Sequence, residues 1–136
     1  MKLDLTKKQF RRLLDLVYIG NWILNSARGP DRITDYDEVE SYLFSKCEEE
    51  NMNVLCDLTG PVALPSKAFA DGGIHEAIMD YEDAVFFEIL AEELAHRDLF
   101  LSEDCYEPAE LVARINAYIT EFEKNGLTNL LVDTDL

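Results

Sequence analysis

The chain has 136 residues, 48 % hydrophobic and 29 % charged, the make-up of one globular domain and not of a disordered tail. Its formal net charge is −16, unevenly placed: residues 1–32 carry seven basic and three acidic residues, residues 33–136 five basic and twenty-five acidic ones. Such a field repels nucleic-acid phosphate and anionic lipid and favours basic partners, which sets direct DNA or RNA binding aside.

No window approaches the roughly 18 uninterrupted apolar residues of a membrane span, so no membrane insertion is expected. Basic residues up to Arg12, followed by an apolar run to Leu24, imitate a secretion signal. Asp15, Gly20 and Asn21 interrupt that run, and it reads better as a folded helix. Cys47, Cys56 and Cys105 form no Cys-x-x-Cys pair, hence neither a disulfide framework nor a zinc site. Reduced thiols and the missing signal point to a cytoplasmic protein.

In chain order, Thr6-Lys7-Lys8-Gln9 is a capping box, with Leu5 and Phe10 at the staple positions. Phe10, Leu13, Leu14, Val17 and Leu24 make the buried stripe of the first helix. Tyr18, Ile19, Trp22 and Ile23 widen it, and Gly29-Pro30 ends it. A second helix is expected over 34–50, capped by Thr34 or Asp35, with Asp37 and Glu38 where the dipole favours them. Val39, Tyr42, Leu43, Lys46 and Cys47 share one face. Glu48-Glu49-Glu50 at its end should fray or find a basic neighbour. Residues 52–58 fit a helical turn or an extended piece. The breakers Gly60-Pro61, Leu64-Pro65 and Asp71-Gly72-Gly73 make 59–72 a plain connector.

The central helix runs over 73–99. Ile74, Ile78, Tyr81 and Val85 lie in one arc; from Phe86 a second apolar set, Phe86, Phe87, Leu90 and Leu94, appears on the other side. A helix apolar on two sides is usually covered on both. Residues 101–107 read as a polar turn containing Cys105. Pro108 opens the last helix at N1, and Leu111, Ile115, Tyr118, Ile119 and Phe122 make its apolar face. Gly126 closes it, with Phe122 and Leu127 placed to touch in a Schellman motif. The expectation is therefore all-α: a single domain over 1–136, an orthogonal or up-down bundle of about four main helices around helix 73–99, with a short extended C-terminal tail.

The central helix also carries Glu88, Glu92 and His96 at i, i+4 and i+8, and Glu93 and His96 as a Glu-x-x-His pair. Helical-bundle di-metal sites project their ligands with this spacing. Such a site needs a second motif; the other histidine, His75, has Gly72 three residues before it. A solvated face with Glu92 and His96 paired is the simpler reading, and no cofactor is expected. Three segments, Tyr18-Ile19-Gly20-Asn21-Trp22, Glu92 to Leu99 and Glu121 to Leu127, resemble a family of small acidic bacterial proteins of unassigned function. The resemblance implies a bacterial, intracellular, helical protein and carries over no catalytic or binding residue.

No serine lies in a nucleophile-elbow context, and two histidines without local signatures argue against a triad. The leading expectation is a non-catalytic interaction or accessory protein whose acidic surface meets a basic partner, a DNA mimic being its sharpest form. The alternative is a metal-dependent helical-bundle enzyme using Glu88, Glu92, Glu93 and His96. A homodimer is a third possibility, since Trp22, Phe86 and Phe87 are interface-type residues.

Overall fold

The computed structural model describes residues 2–100 and 107–132; Cys105 and most of the expected turn lie outside them. Among the described residues, four main helices, one short helix and a two-residue strand pair make the fold all-α in class, as expected. The chain divides into two compact units, Met1–Met79 and Asp80–Leu136.

In the first unit, α1 spans Lys7–Asn25. The Thr6 capping box is formed: the Gln9 backbone N–H donates to the Thr6 hydroxyl at 3.3 Å, and the Gln9 side chain accepts the Thr6 N–H at 2.9 Å. Phe10, Leu14 and Tyr18, at i, i+4 and i+8, face the core. The helix ends at Asn25, earlier than the expected stop at Gly29-Pro30. Helix α2, Thr34–Phe44, starts from Ile33, whose side chain cannot cap; neither Thr34 nor Asp35 is the N-cap. The buried Asn25 side chain does that work from a distance, accepting the Ile33 N–H at 2.9 Å and donating to the Ile33 carbonyl at 3.0 Å. A long-range clamp has replaced a local cap.

Helix α2 also stops short of Glu50, in a 3-10 turn over Ser45–Cys47. The acidic run after it leaves the helix, and Glu49 pairs with Lys46 at 2.8 Å, so it has found the basic neighbour expected. Asn51, at φ +55°, reverses the chain, a conformation Asn tolerates better than most residues. Residues 52–58 adopt both expected forms in succession. A 3-10 turn over Asn53–Leu55 leads into β1, Cys56–Asp57, antiparallel to β2, Leu64–Pro65, with Cys56 opposite Pro65 and Asp57 opposite Leu64.

The stretch 59–72 is more than a connector. After β2 it forms α3, Lys67–Ala70, capped by Ser66, whose hydroxyl accepts the Phe69 N–H at 3.1 Å. Phe69 is 2 % exposed and meets Tyr18 and Phe44 edge to face, at 5.3 and 5.0 Å between ring centroids. A ring buried in this way contributes both its hydrophobic area and the favourable edge-to-face term. The breakers set the path of this segment, and one phenylalanine anchors it.

Helix α4 is continuous over Gly73–Phe100. Its two apolar directions serve two cores in succession, not one core from both sides. Ile74 and Ile78 pack with the first unit, while Phe87, Leu90, Ala91 and Leu94 pack in the second. Between and behind these sets, Tyr81 and Ile89 remain 61 % and 53 % exposed, so among the described residues the covering of both flanks expected there is not found.

In the second unit, α5, Pro108–Asn125, supplies Phe122, Ile115, Tyr118 and Ile119 to that core. Gly126, at φ +55°, donates its N–H to the Phe122 carbonyl at 2.8 Å. With ψ at −134° Gly126 is outside the left-handed helical region, so the Schellman motif expected here is not formed, and Leu127 stays exposed. The tail turns where an extended run was expected: the Leu130 N–H donates to the Leu127 carbonyl at 3.0 Å, and Leu130 packs on the core.

Candidate functional site

Three places gather chemistry, one in the first unit and two in the second. In the first unit, Asn21 and Asn25 project from α1 at i, i+4, and both are buried. Buried amides must find partners. The Asn25 amide donates to Asn21 Oδ1 at 2.7 Å, and Asn21 Nδ2 donates to Asp37 Oδ1 at 3.0 Å and to Glu40 Oε2 at 3.1 Å on α2. Arg32 grips Asp37 through two nitrogens, at 2.7 and 2.6 Å. These donors hold the Asp37 carboxyl below the usual range, with the Arg32 bonds as the largest cause.

Glu40 behaves oppositely. Burial pushes its pKa up against the Asn21 hydrogen bond, and the Asp37 charge adds to the rise. A carboxyl with a raised pKa keeps its proton in the folded state at pH values where the unfolded chain has lost it. Stability therefore falls as pH climbs through the interval above the ordinary value, and the ionised folded form carries the burial cost at neutrality. Glu40→Gln, which keeps an acceptor for Asn21, is expected to raise the melting temperature at pH 7. The gain should fade as pH drops to about 4, where both states are protonated. Equal or lower melting temperatures for the variant at pH 7 would contradict this burial cost.

Beside this network lies a cleft of about 200 Å³ with Tyr18, Asn21, Trp22, Arg32 and Glu40 among its walls. Tyr18 and Trp22 stack with centroids 6.3 Å apart. The Tyr18 hydroxyl is 3.3 Å from His75 Nδ1, and Trp22 meets the His75 ring edge to face at 4.9 Å. The Tyr18 pKa is raised, by burial first and then by the negative charges of Glu40 and Asp71. The Trp22 indole N–H is buried with no hydrogen-bond partner among the described residues.

The second place is the outer side of α4. Tyr81, Val85 and Ile89, at i, i+4 and i+8, form an apolar stripe with Glu82 and Glu93 along one side, Glu88 on the other and Glu92 in line at its C-terminal end; of these seven residues only Val85 is partly covered. Of the four residues considered as metal ligands, Glu92 and His96 approach to 3.8 Å, while Glu88, Glu92 and Glu93 are exposed. Among the described residues no three His, Cys, Asp or Glu side chains gather as a metal ion requires. Nor does any helix of the described residues have the length and apolarity to cross a membrane.

Asp98 forms a third, smaller centre. It accepts the Tyr118 hydroxyl at 2.5 Å and pairs with Arg97 at 2.7 Å and Arg114 at 3.4 Å. The Tyr118 bond is the main cause holding the Asp98 carboxyl low and the Tyr118 phenol high. With all its partners taken, this group braces α4 against α5. Cys47 is a core thiol that burial pushes up to about 11, which leaves almost no reactive thiolate at neutral pH.

Sequence reasoning passed over Asn21, Asn25 and Glu40. The available signal was two asparagines four residues apart inside the widened apolar half of α1, a pattern that asks for partners as soon as the helix is packed. No protein-family model, curated protein or solved structure matches the chain.

Proposed function

We propose that this chain is a non-catalytic interaction protein that captures a basic, amphipathic protein segment on the outer side of α4. The observation that carries the reading is the stripe Tyr81, Val85, Ile89 set among Glu82, Glu88, Glu92 and Glu93. An apolar seam flanked by one sign of charge suits a helix whose own apolar face is flanked by Lys and Arg. The surrounding field has the same sense: residues 80–136 hold fifteen acidic and three basic residues. A second copy of the chain would bring a like charge to this face, so a basic partner is favoured over a homodimer there. Among the described residues no three His, Cys, Asp or Glu side chains gather for the metal ion that the alternative, a metal-dependent enzyme using Glu88, Glu92, Glu93 and His96, would use.

The test is capture of partners from a bacterial lysate at low and moderate salt, by wild type and by a variant carrying Glu82→Gln, Glu88→Gln, Glu92→Gln and Glu93→Gln. Wild type is expected to retain a protein that salt releases, and the variant to retain it about tenfold less, since rim charges govern encounter and register. Helicity should be unchanged, because these side chains are exposed. Equal capture by both proteins, or capture insensitive to salt, would refute the reading.

A further inference from the structure

The cleft between α1 and α2 is a separate matter from the α4 stripe and rests on residues 1–79 alone. From its walls we infer that it binds a compact organic cation, a guanidinium or alkylammonium group, held by the Glu40 carboxylate and the Tyr18 and Trp22 rings.

The sign of the ligand follows from the charges present. Arg32 is the cation among the wall residues named, and both its Nε and Nη2 are committed to Asp37, at 2.7 and 2.6 Å. Arg32 also acts on Glu40, but Arg32, Asp37 and Glu40 together carry one net negative charge, with Asp71 near enough to Tyr18 to act on its phenol in the same direction. An anion would meet a guanidinium already engaged by Asp37 and an opposing carboxylate; a cation meets a net attraction. The chemistry of the rings agrees. Tyr and Trp faces attract cations, more strongly when water is excluded, and a planar guanidinium adds stacking. Asn21 donates to Glu40 Oε2 at 3.1 Å, which orients the carboxyl and leaves Oε1 for the ligand. A volume of about 200 Å³ suits a guanidinium with a short alkyl stem.

The energetics give a second argument. A half-buried carboxyl that destabilises the fold at neutral pH is poor design for a structural role, where glutamine would serve the same Asn21 bond. Local rules are broken in this way mostly at functional sites. A cation beside Glu40 would offset the burial cost.

Trp22 is the single tryptophan of the chain, so its fluorescence reports on this cleft directly. Methylguanidinium chloride is titrated into the full chain, with sodium chloride as the ionic-strength control. In parallel, a blocked tripeptide with a central arginine separates a free guanidino compound from the side chain of a protein. The expected result is a saturable change in Trp22 emission with at least one of the two probes, absent with sodium chloride. Glu40→Gln should weaken it by about tenfold or more, although that variant is expected to be the more stable protein. The stronger of the two probes identifies the source. Responses that never saturate, that sodium chloride reproduces, or that Glu40→Gln leaves unaltered would overturn the inference. Because the capture experiment uses only α4 substitutions, failure of one proposal leaves the other standing.

Discussion

Asn25→Ala is expected to destabilise residues 1–79 by about 2–4 kcal/mol, more than most surface substitutions and comparable with loss of a core side chain. Asn25 is 1 % exposed and makes three hydrogen bonds: two to the backbone of Ile33 and one to Asn21. Each is worth about 1 kcal/mol net, but the asymmetry matters more. Alanine leaves the Ile33 N–H without its partner at a part-buried corner, while the Ile33 carbonyl keeps only the long Tyr36 N–H bond at 3.4 Å, and a stranded group of this kind costs about 1–3 kcal/mol if water cannot reach it. The corner joins α1 to α2, and both walls of the cleft depend on it. Urea unfolding followed by Trp22 emission measures the change directly. Asn129→Ala is a suitable control: it removes one exposed bond to Glu121 and should stay within about 0.5 kcal/mol. A cost for Asn25→Ala no larger than the control's would show that Ile33 is positioned by something else.

That corner also marks where sequence reading reached its limit. The capping box at Thr6, the proline at the start of α5 and the glycine at its end were legible because their determinants lie within a few residues of one another. The start of α2 was not, because its cap comes from Asn25, eight residues before Ile33 and on another helix. Thr34 and Asp35 are good capping residues by type, yet they sit one and two positions too late. The burial of Phe69 is hidden from the sequence for a related reason: breakers around it signal a loop correctly, but say nothing of a ring that swings back onto Tyr18 and Phe44. Tertiary partners decide such positions, and period analysis sees only neighbours along the chain.

Helix α4 teaches the complementary lesson. Its apolar residues do change direction partway along, and the helix is unbroken, as periodicity predicts. Period alone cannot distinguish one core wrapped from two sides from two cores met in turn. The deciding information is the height at which each apolar residue is covered: Ile78 and Leu94 are buried, while Tyr81 and Ile89 are not. The same ambiguity explains the metal-ligand pattern. Glu88, Glu92 and His96 do share a face, but sharing a face supplies a site only where neighbouring helices bring further ligands.

The α4–α5 unit should be the more sensitive of the two to a single core change, and Phe122→Ala is the strongest instance. Phe122 is 8 % exposed, 5.6 Å from the Phe87 ring and 6.0 Å from Tyr118. Buried Phe→Ala changes cost about 3–5 kcal/mol through lost transfer energy and the cavity left behind. Among the described residues the buried members of this core are Ala91, Leu94 and Phe122, so one ring supplies much of its apolar volume. Two helices of this length have little stability without tertiary packing. The variant is therefore expected to lose a large share of its far-ultraviolet helical signal or to melt at much lower urea. Val112→Ala, at an exposed position of the same helix, should differ from wild type by about 0.5 kcal/mol or less. The stripe proposed to bind a partner lies on the outer side of this same helix pair, so on that proposal Phe122→Ala should also abolish salt-sensitive capture while leaving every carboxylate in place. A variant that keeps its helicity and its stability would mean that the Phe87–Phe122 contact does not hold α4 to α5. The seam of Tyr81, Val85 and Ile89 would then lack the rigid backing that recognition of an amphipathic helix requires.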